Sequence, residues 1–208
     1  MRTHAVPLFA ALVAIFSVMA TPAVLASPVS IAPHGTVTAF TPTTSNFTGS
    51  EVASFSMSFS NAFEQGTVYE DVYKSGSFFD FYYQVANDNS STDSLSRLTV
   101  GNFTGFTTSV DYLLNGGDTP TSATRQISGD SLGFNIEIDP GTTSDWLEVA
   151  TNARNYGSTG TISILDSLSS NFSNSPDPAL GVVPEPSTYA MMLGGLVLLG
   201  FCVRRKLA

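Results

Sequence analysis

The middle of the chain shows a two-residue alternation of apolar and polar positions. Residues 53–60 alternate strictly between an apolar residue and serine, and residues 131–139 alternate similarly before an Asp-Pro-Gly turn. Because successive side chains of a strand point to opposite faces, both segments predict half-buried β-strands. Residues 77–86 carry apolar side chains on both faces, which is typical of a central strand.

Seven further candidate strands lie between turn-forming segments rich in Asn, Asp, Gly and Ser. They run near residues 35–41, 67–73, 95–100, 106–113, 123–128, 145–151 and 160–165. Short strands with a turn about every dozen residues predict an all-β fold, an antiparallel β-sandwich with a jelly roll or barrel as close variants.

The first residues of the chain predict a secretory signal peptide over 1–26. A short basic start is followed by an apolar run over 6–20, and Val24 and Ala26 supply the residues expected at a cleavage site. We therefore expect signal peptidase to cut between Ala26 and Ser27. The alternative, a retained signal anchor, is disfavoured because the apolar run is short for a membrane span.

The end of the chain predicts a single transmembrane helix. Residues 187–203 carry no charge and are followed directly by Arg204, Arg205 and Lys206. As a helix this segment would be about 25 Å long, slightly less than a hydrocarbon core of about 30 Å. The basic cluster would stop transfer and keep the C-terminus in the cytoplasm, with everything before Pro184 outside.

Pro184, Glu185 and Pro186 stand immediately before this apolar segment. Two prolines keep the backbone extended, which is the form that a protease cleft accepts. The ordered combination of Pro-Glu-Pro, apolar helix and basic cluster over 184–208 resembles the PEP-CTERM sorting signal of Gram-negative bacteria. That resemblance implies processing near the Pro-Glu-Pro and Ser187 by an exosortase, a membrane-embedded cysteine protease.

These ends leave a β-sandwich ectodomain over 27–165 and a linker rich in Ser, Asn and Pro over 166–183. The whole chain has a net charge of −9, and residues 27–183 hold 16 acidic and 4 basic residues, or −12. Such a surface argues against nucleic-acid binding, which needs clustered cations. The chain has one cysteine, which excludes a disulfide framework.

The exported part offers little for catalysis. It contains one histidine, His34, near its beginning and no cysteine, so a Ser-His or Cys-His arrangement is not expected. Glycoside hydrolysis needs two carboxylates, and the nearest candidates are Glu137 and Asp139, which we expect to be solvated residues on the outside of a strand. We therefore predict no catalytic residues and no enzyme activity.

Calcium is the one cofactor that the sequence leaves open, and no other cofactor is expected. Asp88, Asp93 and Asp118 lie in Asn- and Asp-rich turns, which supply the hard oxygen ligands that Ca²⁺ prefers. The spacing does not match the EF-hand loop or the glycine-rich nonapeptide repeat, and turns that cap strands explain these residues equally well.

Aromatic residues leave carbohydrate binding open. Most of the 15 Phe and 7 Tyr residues are expected in the core. Trp146 and the set Tyr69, Tyr73 and Tyr82 are the candidates for an exposed sugar-binding surface.

Taken with the predicted signal peptide, the resemblance to the PEP-CTERM signal implies an exported bacterial cell-surface or extracellular-matrix protein. Its β-domain would be structural or adhesive and associated with extracellular polysaccharide or biofilm, and it would be held by its C-terminal helix before sorting. Two alternatives stay open, a secreted carbohydrate-active enzyme with paired carboxylates and an envelope protein that keeps its C-terminal anchor.

Overall fold

A computed structural model describes residues 27–42, 46–165 and 170–180 of the chain. Within these ranges the strands form two six-stranded sheets, every pairing between named strands is antiparallel, and no helix occurs. The predicted all-β class with antiparallel sheets is confirmed. The predicted signal peptide over 1–26 and the predicted helix over 187–203 lie outside the described residues. The described part accordingly holds no helix that is long and apolar enough to cross a membrane.

Sheet A has the strand order β1-β7-β10-β5-β4-β3, and sheet B has the order β12-β11-β6-β9-β8-β2. The strand bounds in chain order are β1 (Val29–Ser30), β2 (Thr36–Val37), β3 (Ser50–Ser60), β4 (Gln65–Ser75), β5 (Phe78–Asn87), β6 (Leu95–Gly101), β7 (Thr108–Leu113), β8 (Ser122–Arg125), β9 (Leu132–Ile138), β10 (Trp146–Thr151), β11 (Asn155–Leu165) and β12 (Ser170–Ala179).

The core lies between the two sheets and follows the alternation seen in the sequence. On β5, Phe79, Phe81, Tyr83 and Val85 are buried in the core, as the alternation predicted. The ring of Phe81 meets that of Phe103 edge to face at 5.9 Å between centroids. Because aromatic rings and aliphatic side chains fill the space between the sheets, apolar burial is the main source of stability.

The predicted linker over 166–183 is wrong for much of its length. Residues 170–179 form β12, which pairs with β11 along the edge of sheet B. Pro176 and Pro178 suggested an irregular segment, but a strand at the edge of a sheet tolerates proline because one side of it donates no hydrogen bonds to a neighbour. The folded domain therefore continues to Ala179.

Polar contacts, rather than an apolar pattern, hold β12 in place. Asp177 is buried, and its carboxylate accepts hydrogen bonds from the Thr159 backbone N–H at 2.7 Å and from the Thr159 hydroxyl at 3.0 Å. Phe172 adds one apolar anchor, with its ring centroid 6.4 Å from that of Phe59. This explains why a strand exists where hydrophobic periodicity predicted none.

The sandwich has two distinct ends. The end where β12 finishes, here called the β12 end, contains the β4–β5 turn at 76–77, the loop 152–154 and Leu180. The opposite end contains the loops 88–94, 114–121 and 139–145.

Candidate functional site

The outer face of sheet A carries three buried carboxyl groups on neighbouring strands. Phe81 and Tyr83 of β5 point into the core, so Asp80 and Tyr82 point outward. Glu148 of β10 lies opposite Tyr82 on β5 and opposite Asp111 on β7. Strand alternation and register thus bring together acids that are far apart in sequence.

Glu148 is the centre of this group. The Tyr82 hydroxyl donates to Glu148 Oε1 at 2.9 Å, and this bond favours the ionised carboxylate. Burial has the larger effect and raises the pKa of Glu148 to about 7, with further contributions from the charges of Asp80 and Asp111. Burial and the nearby Glu148 also raise the pKa of Tyr82.

The two flanking acids are held by separate contacts. Asp80 Oδ1 accepts the Thr151 backbone N–H at 3.4 Å, while burial raises the pKa of Asp80 to about 6. Asp111 Oδ2 accepts the Thr41 hydroxyl at 3.0 Å, and burial raises the pKa of Asp111 as well. Each acid keeps a hydrogen bond, but among the described residues none of the three has a cationic partner that would lower its pKa.

An aromatic group surrounds Tyr82, beside the acids. The Phe47 ring stacks on Tyr73 at 4.7 Å between centroids and meets Tyr82 at 4.9 Å and Trp146 at 5.2 Å, both edge to face. We refer to the outer-face cluster as the set Phe47, Tyr73, Asp80, Tyr82, Asp111, Trp146 and Glu148. Phe47 belongs to the connection between β2 and β3, so the chain crossing from sheet B to sheet A supplies this ring.

The aromatic rings and the carboxyl groups of the cluster suit the binding and hydrolysis of sugars, but the burial of the carboxyl groups opposes catalysis. Aromatic rings bind the faces of sugars, and carboxyl groups with pKa values near neutrality can hold or release protons. Asp80 and Glu148 are each only 7% exposed, and Asp111 is 2% exposed. A substrate could therefore not reach them without a rearrangement of the side chains around them.

Three of the four predicted sugar-binding aromatics meet in this cluster. Tyr73, Tyr82 and Trp146 lie around Phe47, whereas Tyr69 is separate and 40% exposed. Tyr82 is fully buried, so it presents no ring face to solvent.

The carboxylate pair proposed from the sequence lies elsewhere. Glu137 and Asp139 are both exposed at the end of β9, and Asp139 accepts the Ser94 hydroxyl at 2.7 Å. Sequence analysis missed Asp80 and Glu148 as a pair. The sequence did hold one signal for Asp80. Both faces of β5 were predicted to be buried, so an acid within that strand had to be a buried acid.

The predicted calcium ligands share one end of the sandwich. Asp88, Asp93 and Asp118 all lie in loops of the end opposite β12, and Asp118 accepts the Thr142 hydroxyl. In the part of the chain that the structure describes, no three His, Cys, Asp or Glu side chains are grouped so as to hold a metal ion. Calcium binding stays a prediction.

A buried aspartate accounts for the Asn-Gly-Gly-Asp turn. Asp145 Oδ1 accepts the backbone N–H groups of Asn115 and Gly117, each at 2.9 Å. These bonds tie the 114–121 loop to the start of β10. The hydrogen bonds to Asp145 therefore explain the Asn-Gly-Gly-Asp turn as part of the fold.

His34 occupies a turn rather than a site with a nucleophile. It is exposed, has a φ of 64°, and its backbone N–H donates to the Gln126 carbonyl at 3.2 Å. A positive φ in a non-glycine residue is uncommon and belongs here to the tight connection between β1 and β2.

The described part is thus a two-sheet β-sandwich with a shielded aromatic and carboxyl cluster on one face. Beyond it, the family model for the PEP-CTERM protein-sorting motif matches residues 182–206. The matched range contains Pro184, Glu185, Pro186 and Ser187 together with 204–206, all outside the described residues. The C-terminal resemblance is confirmed. No curated protein and no solved structure matches the chain.

Proposed function

We propose that this protein is an exported cell-surface or extracellular-matrix protein that an exosortase processes through its C-terminal motif. The match to the PEP-CTERM protein-sorting motif over 182–206 carries this proposal. The signal peptide predicted over 1–26 supplies export and is removed by signal peptidase. The apolar segment 187–203 and the basic residues 204–206 then hold the chain in the inner membrane until processing.

The β-sandwich is a non-catalytic structural or adhesive domain in this proposal, associated with extracellular polysaccharide or biofilm. The shielding of the outer-face cluster supports a structural role for its acids, because a catalytic acid must reach the bond that it protonates. The high negative charge of the exported part keeps the domain soluble outside the cell.

Replacing Pro184, Glu185 and Pro186 together by alanine tests the sorting role. The intact mass of the protein from the envelope and medium of its native host reports both termini at once. We expect the natural protein to begin at Ser27 and end between Pro184 and Ser187, and we expect the variant to keep its C-terminal segment.

The variant S167A/L168A/S169A is the matched control, since it changes three adjacent residues outside the matched range 182–206. It should be processed normally. Unchanged processing of the P184A/E185A/P186A variant would contradict the proposal. Natural protein that retains Ala208 would identify a permanently anchored envelope protein instead.

A carbohydrate-active enzyme is the second candidate function. The observation that favours it is the pair of acids on β5 and β10, with pKa values of about 6 for Asp80 and about 7 for Glu148. Two carboxyl groups with different proton affinities are the requirement for glycoside hydrolysis. The measurement is the release of sugar from matrix polysaccharide. Release that is lost in D80N and in E148Q, but kept in E137Q, would establish the enzyme activity.

A further inference from the structure

The surface cations of the exported domain are gathered at the β12 end. Residues 27–180 contain four basic residues other than histidine, Lys74, Arg97, Arg125 and Arg154. Arg125 is buried, and the Arg97 guanidinium donates to Asn135 at 2.7 Å and to side-chain hydroxyls. Lys74 and Arg154 are exposed.

The backbone contacts place these two cations beside the end of the last strand. Lys74 lies opposite Phe79 in the β4–β5 pairing, with its Nζ 5.9 Å from the centre of the Phe79 ring. The Phe79 N–H donates to the Ala153 carbonyl at 3.1 Å, directly before Arg154. Asn155 then pairs with Ala179. The β4–β5 hairpin, the loop 152–154 and the end of β12 are therefore next to one another.

Exposed apolar side chains accompany the cations. Phe78 at the β4–β5 turn is 40% exposed, Leu180 after β12 is 81% exposed, and Ile127 in the β8–β9 turn is 80% exposed. Large apolar groups beside basic residues are the composition of a surface that meets a membrane interface.

Exposed acids are concentrated at the opposite end. Asp88, Asp93 and Asp139 are exposed there, and Asp118 is half-buried. The β12 end also carries an exposed acid, Glu51, opposite Tyr73 in the β3–β4 pairing, and the half-buried Asp130 in the β8–β9 turn. The domain is therefore electrically polarised, with its surface cations at the end from which the chain leaves.

The short segment between the last strand and the proposed membrane helix limits which end of the sandwich can face the membrane. Four residue steps separate Leu180 from Pro184, and seven separate it from Ser187. Fully extended, these steps cover about 14 Å and about 25 Å. An 11-residue strand such as β11 is about 36 Å long. The β12 end must therefore stay near the bilayer while residues 187–203 are inserted.

We propose that the β12 end is a docking surface for an anionic phospholipid bilayer, with Lys74 and Arg154 at the headgroups and Phe78 and Leu180 at the interface. This inference rests on the proposed membrane insertion of the sorting segment. Docking orients the sandwich upright, keeps its acidic end away from the lipid, and presents the Pro-Glu-Pro segment at the membrane surface.

The test measures the orientation of the full chain in lipid nanodiscs. With Cys202 replaced by serine, a fluorophore is attached through S77C at the β12 end or through S90C at the opposite end. Quenching by a lipid with a nitroxide headgroup reports proximity to the bilayer. We expect strong quenching at residue 77 in phosphatidylglycerol nanodiscs, much weaker quenching there in phosphatidylcholine, and little at residue 90 in either lipid.

The variant K74Q/R154Q should lose the preference for the anionic lipid. Each basic residue near such a surface raises the equilibrium constant for docking about fivefold. Loss of both is therefore expected to lower that constant by up to about 25-fold. The variant S90E/T119E changes the net charge by the same amount at the opposite end and should dock normally. Salt should weaken docking of the natural chain.

Equal quenching at residues 77 and 90, or no difference between the two lipids, would overturn the docking proposal. Unchanged quenching in K74Q/R154Q would do the same. Each of these results leaves the sorting proposal intact if processing in cells still requires Pro184, Glu185 and Pro186. Processing that ignores those residues would instead remove the sorting proposal.

Discussion

Tyr82 and Glu148 join β5 and β10 through a 2.9 Å hydrogen bond from the phenol to the carboxyl oxygen Oε1. Burial nevertheless raises the pKa of Glu148 to about 7, so desolvation outweighs the hydrogen bond. A carboxyl group whose pKa is raised on folding binds its proton more tightly in the folded state than in the unfolded state. Its contribution to stability is full below its unfolded pKa and is lost as pH rises through about 7.

We expect the melting temperature to fall as pH is raised from 5 to 8. The raised pKa of Glu148 corresponds to at most about 3 kcal/mol, and therefore to a fall of at most about 6–12 °C for a domain of this size. In E148Q the fall should be smaller, but not absent, because burial also raises the pKa values of Glu70, Asp80 and Asp111. The exposed control E137Q should keep the natural slope. An E148Q slope equal to the natural one would contradict this explanation.

Phe47 should hold the β2–β3 connection against sheet A. Its ring contacts Tyr73, Tyr82 and Trp146, so F47A removes three aromatic contacts. We expect a loss of about 2 kcal/mol in the free energy of unfolding.

The same variant can be followed by fluorescence, since Trp146 is the only tryptophan of the chain. Its emission should shift to longer wavelength when the Phe47 ring is removed. F78A, which removes an exposed ring of the same size, should leave both emission and stability close to natural values. Unchanged emission in F47A would show that Phe47 does not pack on the Trp146 ring.

Arg125 should be among the most sensitive positions of the domain. Its guanidinium is buried and donates to four backbone carbonyls, those of Ile31, Phe103, Phe106 and Gly129. R125A would remove a donor shared by four carbonyls, of which those of Ile31 and Phe103 keep a second donor, and we expect a loss of at least about 3 kcal/mol by chemical denaturation.

Lysine should restore little of this stability, because it lacks the planar group of donors that serves several carbonyls at once. The exposed R154Q is the matched control and should be nearly neutral for stability. An R125K protein as stable as the natural one would show that charge, rather than the carbonyl contacts, is what matters at this position.

The boundary of the domain can be tested by shortening the chain. A protein of residues 27–180 should unfold cooperatively, whereas one of residues 27–165 lacks β12 and exposes the edge of β11 and the core around Phe59. We expect the shorter protein to aggregate or to bind a dye for apolar surfaces. Equal stability of the two would mean that β12 is dispensable.

The sequence predicts the parts of this fold whose signal is local. The strict alternation over 53–60 identifies both the strand β3 and its buried side. β1 has two residues, which is too short for any periodicity. β12 is held by hydrogen bonds to Asp177 and by its edge position, and neither leaves an apolar pattern.

The outer-face cluster is not predictable from local pattern for a different reason. Asp80, Asp111 and Glu148 become neighbours only through the order and register of β5, β10 and β7. Their raised pKa values depend on burial, and Phe47, which packs on Tyr82 beside them, comes from a fourth element. The sequence identified the tyrosines and the tryptophan as candidate sugar-binding residues. It did not predict that three of them lie together on the outer face of sheet A.

The place of β12 in the chain also determines when the domain can finish folding. β12 is the last strand in the part of the chain that the structure describes, and it forms an edge of sheet B beside its partner β11. The pairings that bridge distant parts of the sequence form slowly compared with local turns. Since the Pro-Glu-Pro follows Ala179 by only a few residues, in the proposed export β12 becomes available for pairing only shortly before the sorting segment itself emerges.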